Sequence, residues 1–145
     1  MIEGSCLCGA VRFAAGEWVS PLQYCHCRRC QKVSGGPFGA AVVAPTENVR
    51  WLQGAELVEQ CVLPVRVEPP PYRTAFCRRC GSPLPIVDAQ RPFAIIPAGA
   101  LDGPPPLRPF RHIFVSHNPD WYEIHDGLPQ FEEHVPPEQR LPTKR

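Results

Sequence analysis

Seven of the eight cysteines of this 145-residue chain lie in three short groups. The groups are Cys6-Leu7-Cys8, Cys25-His26-Cys27-Arg28-Arg29-Cys30 and Cys77-Arg78-Arg79-Cys80. Two thiolates that stand two or three positions apart on a tight turn can both point at one ion about 2.3 Å away. Gly9 and Gly81 each follow the second cysteine of a pair, where a positive φ lets backbone N–H groups reach the sulfurs. The spacing therefore favours metal binding.

The number of cysteines predicts two different metal sites, because seven ligands are one fewer than two tetrahedral sites need. The two pairs, Cys6, Cys8, Cys77 and Cys80 (the tetrad), fill one site, and Cys25, Cys27 and Cys30 (the triplet) leave one position open on a second. A closed four-thiolate site is structural, whereas three protein ligands with an exchangeable position are typical of catalytic zinc. A closed site would also hold together a domain that is poor in regular structure.

Four alternatives compete with this partition. Disulfides are disfavoured because the chain is longer than a typical disulfide scaffold and cysteines one residue apart seldom bond each other. Cys61 could be an eighth ligand, although a lone cysteine in an apolar run is more often a small buried hydrophobe, and we expect it in the core. His26 could replace a cysteine ligand, and the triplet could be metal-free and redox-active.

The elements that must position these cysteines are predicted to be short strands. Twenty prolines and 11 glycines exclude a helical bundle or coiled coil, because proline breaks helix interiors. One helical turn is predicted at 28–33, closed by Gly35-Gly36. Strands are numerous and have no βαβ rhythm, so an all-β, mainly antiparallel fold with very little helix is expected. The predicted strands are 10–14, 39–44, 57–63, 72–76, 83–87, 93–97 and 111–115.

The length predicts a single zinc-binding domain at 1–135 with a polar tail at 136–145. Proline-rich loops are predicted at 64–71 and 102–109. A net charge of +1 argues against a nucleic-acid partner. The longest apolar run is too short to cross a membrane and no targeting segment is visible, so a cytoplasmic location is expected.

Several segments resemble, in order over about residues 4–131, the glutathione-dependent formaldehyde-activating enzyme family, which also includes centromere protein V. The segments are Gly4-Ser5-Cys6-Leu7-Cys8-Gly9, Cys25-His26-Cys27-x-x-Cys30, Phe76-Cys77-x-x-Cys80-Gly81-Ser82 and Asp126-Gly127-Leu128-Pro129-Gln130-Phe131. The resemblance implies a β-tent of antiparallel sheets with two zinc ions. It places the structural zinc on the tetrad and the catalytic zinc on the triplet, in agreement with the number of ligands.

The resemblance also implies a reaction, the addition of glutathione to formaldehyde to give S-(hydroxymethyl)glutathione, which is classed as a carbon–sulfur lyase reaction. The expected partners are a small-molecule thiol and an aldehyde, with glutathione as co-substrate. Two other functions stay open: a non-catalytic zinc-stapled module that binds a protein partner, and a thiol redox or metal-handling protein.

Glutathione carries two carboxylates, so its site should offer cations, and Arg28 and Arg29 of the triplet segment are the first candidates. Trp121 is the candidate aromatic wall, and His112 and His125 are candidate proton donors. The alternative is that the arginines are solvated, that the tryptophan anchors the core, and that the histidines are structural.

Overall fold

The computed structural model describes residues 1–16, 19–63, 72–104 and 108–139. Within these ranges the regular structure consists of nine short strands, one α-helix of 7 residues and several single 3₁₀ turns. The elements are β1 (Glu3–Ser5), β2 (Arg12–Ala14), β3 (Leu22–Cys25), α1 (Arg28–Ser34), β4 (Gly39–Pro45), β5 (Arg50–Gln53), β6 (Val58–Leu63), β7 (Tyr72–Cys77), β8 (Phe93–Pro97) and β9 (Pro109–Ile113).

The strands form three small sheets with the orders β1-β2-β5, β8-β4-β3-β9 and β6-β7. Every pair of neighbouring strands is antiparallel except β3 and β9, which run parallel. The predicted all-β, mainly antiparallel fold is confirmed. The parallel pair sets Cys25 opposite Ile113 and Tyr24 opposite His112, so a segment more than 80 residues later in the chain supports the triplet.

Helix α1 begins inside the triplet, because a triplet cysteine is its N-cap. Cys27 has extended backbone geometry and its sulfur accepts a hydrogen bond from the backbone N–H of Cys30. The helix ends at Gly35, whose φ of 75° is the left-handed geometry that glycine adopts at helix C-termini. The helix predicted at 28–33 is confirmed, and it fixes two of the three triplet sulfurs relative to each other.

The hydrophobic core lies between the sheets and includes two tetrad cysteines. Phe13, Leu84 and Ile96 are fully buried, and Cys6 and Cys77 belong to the same cluster. Burial of large apolar side chains contributes about 1.5–3 kcal/mol each. The tetrad is therefore anchored in the core through Cys6 and Cys77, while Cys80 packs against the core and Cys8 is exposed.

The structure corrects the predicted strand at 83–87, which is not a strand. Pro83 and Pro85 have no backbone N–H, so the segment makes only isolated bridges, Phe76 with Pro83 and Ile86 with Ile95, instead of a continuous ladder. Strands β1, β3 and β5 were not predicted, because they are only three or four residues long and lack a clear apolar alternation. The predicted loop at 64–71 lies outside the described residues, as does the centre of the loop at 102–109.

The structure also corrects the prediction that Cys61 is in the core, because it is exposed. Cys61 lies on β6. The next two residues of this strand, Val62 and Leu63, are 56% and 44% exposed. Strand β6 pairs only with β7 among the described strands, which leaves its outer half open to solvent. No helix of the described chain is long and apolar enough to cross a membrane.

The beginning of the predicted tail contacts the domain. Residues Pro137–Gln139 form a 3₁₀ turn, and Arg111 Nη1 donates a hydrogen bond of 3.1 Å to the Gln139 carbonyl. The division into a domain at 1–135 and a tail stays a prediction.

Candidate functional site

The tetrad sulfurs come together from two turns that are distant in sequence. All four sulfurs lie within 4.8 Å of one another, with Cys6 and Cys8 3.6 Å apart and Cys8 and Cys77 4.0 Å apart. Two ligands each about 2.3 Å from a tetrahedral ion lie about 3.8 Å apart. The tetrad therefore has the spacing that one tetrahedral ion requires.

Backbone N–H groups stabilise negative charge on the tetrad sulfurs. The N–H of Val11 donates to Cys6 Sγ at 3.3 Å, and N–H groups of Cys8 and Ser82 lower the pKa of Cys80 to about 6. These bonds form because Gly9 and Gly81 have φ values of 75° and 74°. The predicted glycine turns are present, and they favour the thiolate form that a metal needs.

The triplet sulfurs also lie within 4.8 Å of one another. Cys25 ends β3, Cys27 caps α1, and Cys30 lies in the first turn of α1. Hydrogen bonds from Cys25 and Cys30 strongly lower the pKa of Cys27, whereas the bond with Cys27 raises the pKa of Cys25. Without a cation the negative charge of the triplet therefore lies on Cys27, whereas Cys25 and Cys30, whose pKa values are raised, would lose their protons when a cation binds.

A cavity of about 370 Å³ reaches the triplet but not the tetrad. All three triplet cysteines line it. The four tetrad cysteines, which are all among the described residues, do not. Its walls come from the four-stranded sheet, from β7 and from the segment that follows β7, and they are mainly apolar. The two cysteine groups therefore differ in setting: the triplet lines a pocket, whereas the tetrad lies between the core and the surface, where Cys8 is exposed.

A chain of hydrogen bonds inside the protein supports the triplet through His26. Its Nδ1 is 2.8 Å from Asn118 Oδ1 and its Nε2 is 2.8 Å from His112 Nδ1, while His112 Nε2 is 2.9 Å from Asp126 Oδ2. Both imidazole rings are almost wholly buried. Because both ring nitrogens of His26 are hydrogen-bonded, the ring does not replace a cysteine ligand.

The hydrogen bonds also determine how many protons the His26 and His112 rings must carry together. Asn118 Nδ2 donates to the Tyr122 carbonyl at 2.7 Å, so its Oδ1 must accept a proton from His26. The three bonds then need three ring protons, one more than two neutral imidazoles carry. The Leu128 N–H and the bond from His112 lower the pKa of Asp126, and burial lowers the pKa of His26. These directions favour a neutral His26 at one end of the hydrogen-bond chain and an ionised Asp126 carboxylate at the other.

The predicted substrate-binding residues occupy different places. Arg29 lines the cavity, with its guanidinium 4.9 Å from the Tyr72 ring centroid, whereas Arg28 donates to Gln31 Oε1 on the helix surface. Trp121 is 69% exposed and is not among the described cavity residues. The roles of these three residues stay predictions.

The two histidines predicted as proton donors do not line the cavity either. His112 belongs to the buried chain described above, and His125 lies at the surface 3.4 Å from Glu123.

Sequence reasoning missed three polar residues of the cavity, Tyr72, Arg73 and Asp88. The Tyr72 hydroxyl lies 3.3 Å from Cys30 Sγ. Burial, followed by the charge of Cys30, raises the pKa of Tyr72, so the phenol keeps its proton. No sequence signal identifies these residues, because only the folded protein brings them to the cavity that the triplet lines.

Comparison with known proteins agrees with the cysteine pattern. The family model described as "Glutathione-dependent formaldehyde-activating enzyme" matches residues 1–117. A Halomonas elongata protein named "Putative glutathione-dependent formaldehyde-activating enzyme" is 35% identical over 130 residues, covering 86% of this chain and 81% of the relative. A crystal structure of a Rhodobacter sphaeroides protein, 22% identical, has a TM-score of 0.55 and covers 74% of this chain and 98% of that protein, which shows a shared fold. The chain belongs to the glutathione-dependent formaldehyde-activating enzyme family.

Proposed function

We propose that the protein is a zinc-dependent enzyme of the carbon–sulfur lyase class that adds a thiol such as glutathione to formaldehyde. The observation that carries the proposal is the difference between the two cysteine groups. The triplet opens into a cavity of about 370 Å³, whereas the tetrad, with two buried cysteines and one at the surface, lines no part of it. A reaction site must admit a substrate, whereas a structural site need not.

The donor chemistry supports zinc at both places. Thiolates are soft ligands that select zinc, and groups of three or four sulfurs at these spacings match its tetrahedral geometry. When bound at the triplet, zinc would lower the pKa of a thiol at its open position. Such clusters need reduced cysteines, so we place the protein in the cytoplasm.

The residues around the triplet would supply the remaining steps. The thiol releases its proton to solvent, and its sulfur forms a bond to the formaldehyde carbon as the C=O π bond breaks. The resulting alkoxide oxygen takes up one proton, so protons and electrons balance and no other reactant is required. The Tyr72 hydroxyl stays protonated beside Cys30, and we propose it as the donor to the oxygen. The buried His26–His112 pair holds the Cys25–Cys27 segment in place and takes no part in proton transfer.

The test is the rate at which S-(hydroxymethyl)glutathione forms from formaldehyde and glutathione, measured by NMR exchange spectroscopy with and without protein. We expect the wild type to exceed the spontaneous rate and Cys27→Ser to lose the acceleration. Cys61→Ser is the matched control, because Cys61 is exposed and belongs to neither cysteine group, and it should keep the full rate. A wild-type rate equal to the spontaneous rate would contradict the proposal.

A further inference from the structure

Arg73 has a polar group that its surroundings do not satisfy. Its Nε–H is buried and has no hydrogen-bond partner, the only such side-chain nitrogen or oxygen among the described residues that are not exposed. A buried donor without an acceptor costs about 1–3 kcal/mol. The Arg73 side chain is nevertheless 30% exposed and lines the cavity, so the rest of its guanidinium is what a ligand would meet there.

The contacts of Arg73 hold it in place without using its full donor capacity. Its Nη1 lies 3.2 Å from Asp88 Oδ2, and Arg91 Nε lies 3.7 Å from the same oxygen. A guanidinium has five N–H groups and can bind a carboxylate with two of them at once. One carboxylate shared by two arginines therefore leaves donors for a second carboxylate.

The charges of the cavity also favour an anion. Among the described lining residues, Arg29, Arg73 and Arg91 stand against one carboxylate, Asp88. A divalent ion on three thiolates adds a single negative charge, so the loaded cavity keeps a net positive charge.

The cavity combines two kinds of polar group with apolar walls. Its lining includes the triplet with Tyr72, the Arg73–Asp88 pair, and apolar side chains such as Ile86 and Ile95. A volume of about 370 Å³ lies in the range of sites for small molecules. A matching ligand carries both a thiol and an acid group.

We propose that Arg73 binds a carboxylate of the thiol substrate, with Asp88 orienting the guanidinium, so that the enzyme selects thiols that carry an acid group. The proposal rests on the proposed function, because the triplet must bind the sulfur of the same molecule. The carboxylate site proposed at Arg73 on β7 is different from the one predicted at Arg28 and Arg29, which lie on helix α1.

The test compares the binding of glutathione and of its diester, in which both carboxylates are blocked, to zinc-loaded protein by titration calorimetry. We expect Arg73→Gln to weaken glutathione binding about ten- to a hundredfold, the range for hydrogen bonds to charged groups. The diester should bind wild type and variant equally. Arg73→Lys keeps the charge and the contact with Asp88, so it should recover part of the affinity and serves as the folding control.

Arg12→Gln is the matched control, because it breaks an exposed pair, Arg12–Glu3 at 3.1 Å, outside the cavity. Glutathione affinity that is unchanged in Arg73→Gln, or an equal loss for the diester, would overturn the proposal. If glutathione binds with the expected dependence on Arg73 but forms no product faster than in buffer, the proposed reaction fails and the carboxylate site stands. If glutathione does not bind the wild type, both fail.

Discussion

Replacing Gln31 with leucine should destabilise the protein, because this side chain connects the triplet to a distant segment. Gln31 is buried on α1, and its Nε2 donates to the His26 carbonyl at 2.7 Å and to the His117 carbonyl at 2.9 Å. Its Oε1 accepts from Arg28 at 2.7 Å. Leucine has a similar size, so Gln31→Leu keeps the packing and removes three hydrogen bonds.

The size of the effect follows from where these bonds lie. Each of the two carbonyls loses its side-chain donor inside the protein, which costs about 1–3 kcal/mol. The bond with Arg28 is only part-buried, and the exposed guanidinium can bond water in its place, so its loss contributes less. Removing the buried amide recovers part of the cost, so we expect a net loss of about 2–4 kcal/mol. For a domain of this length each kcal/mol lowers Tm by about 3–4 °C, which gives a fall of about 6–15 °C.

Thermal unfolding of zinc-loaded protein, followed by circular dichroism, measures this fall. Lys32→Ala is the control on the same helix, since Lys32 is exposed and alanine is at least as good a helix former. It should change Tm by less than about 2 °C. A Gln31→Leu protein that melts with the control would refute the reasoning that these hydrogen bonds hold the triplet segment.

Three further predictions test the core, the proton donor and the buried hydrogen bonds of His26, His112 and Asp126. Leu84→Ala truncates a fully buried side chain and should cost about 2–5 kcal/mol in urea unfolding, whereas a loss below about 1 kcal/mol would remove Leu84 from the core. Tyr72→Phe should keep the wild-type Tm and slow product formation about a hundredfold, and an unchanged rate would exclude it as the donor. Stability should fall on acidification from pH 7 to pH 5. The pKa of His26 is lowered in the folded protein, so below about pH 6.5 the unfolded chain takes up a proton that the folded protein does not. The lowered pKa of Asp126 also reduces stability on acidification, at still lower pH. Equal urea midpoints at both pH values would contradict this.

The cysteine groups could be read from the sequence because their chemistry is local. Ligands two or three residues apart share one turn, so spacing alone separates the tetrad pairs from the triplet. The helix that starts at the triplet was predictable for the same reason, since its end is marked by Gly35. What spacing could not show is that only the triplet opens into a cavity.

The parts that sequence reasoning missed depend on long-range pairing. His26 and His112 are 86 residues apart and meet because β3 and β9 pair in parallel, an arrangement that no local pattern encodes. Tyr72 and Cys30 are also far apart in the sequence, by 42 residues, and come into contact only in the folded protein. The strand wrongly predicted at 83–87 contains Leu, Ile and Val, but its two prolines remove two of the five backbone donors.

The central claim, that the tetrad is structural and the triplet is an open reaction site, is tested most directly by zinc content and thermal unfolding of Cys27→Ser beside Cys77→Ser. Cys77 is fully buried in the core cluster, whereas Cys27 caps a surface helix at the cavity. We expect Cys27→Ser to stay folded with one zinc ion fewer than the wild type and to lose the acceleration of product formation. Cys77→Ser should be severely destabilised. Two variants that unfold alike, or a Cys27→Ser protein that keeps both zinc ions and full activity, would contradict the account.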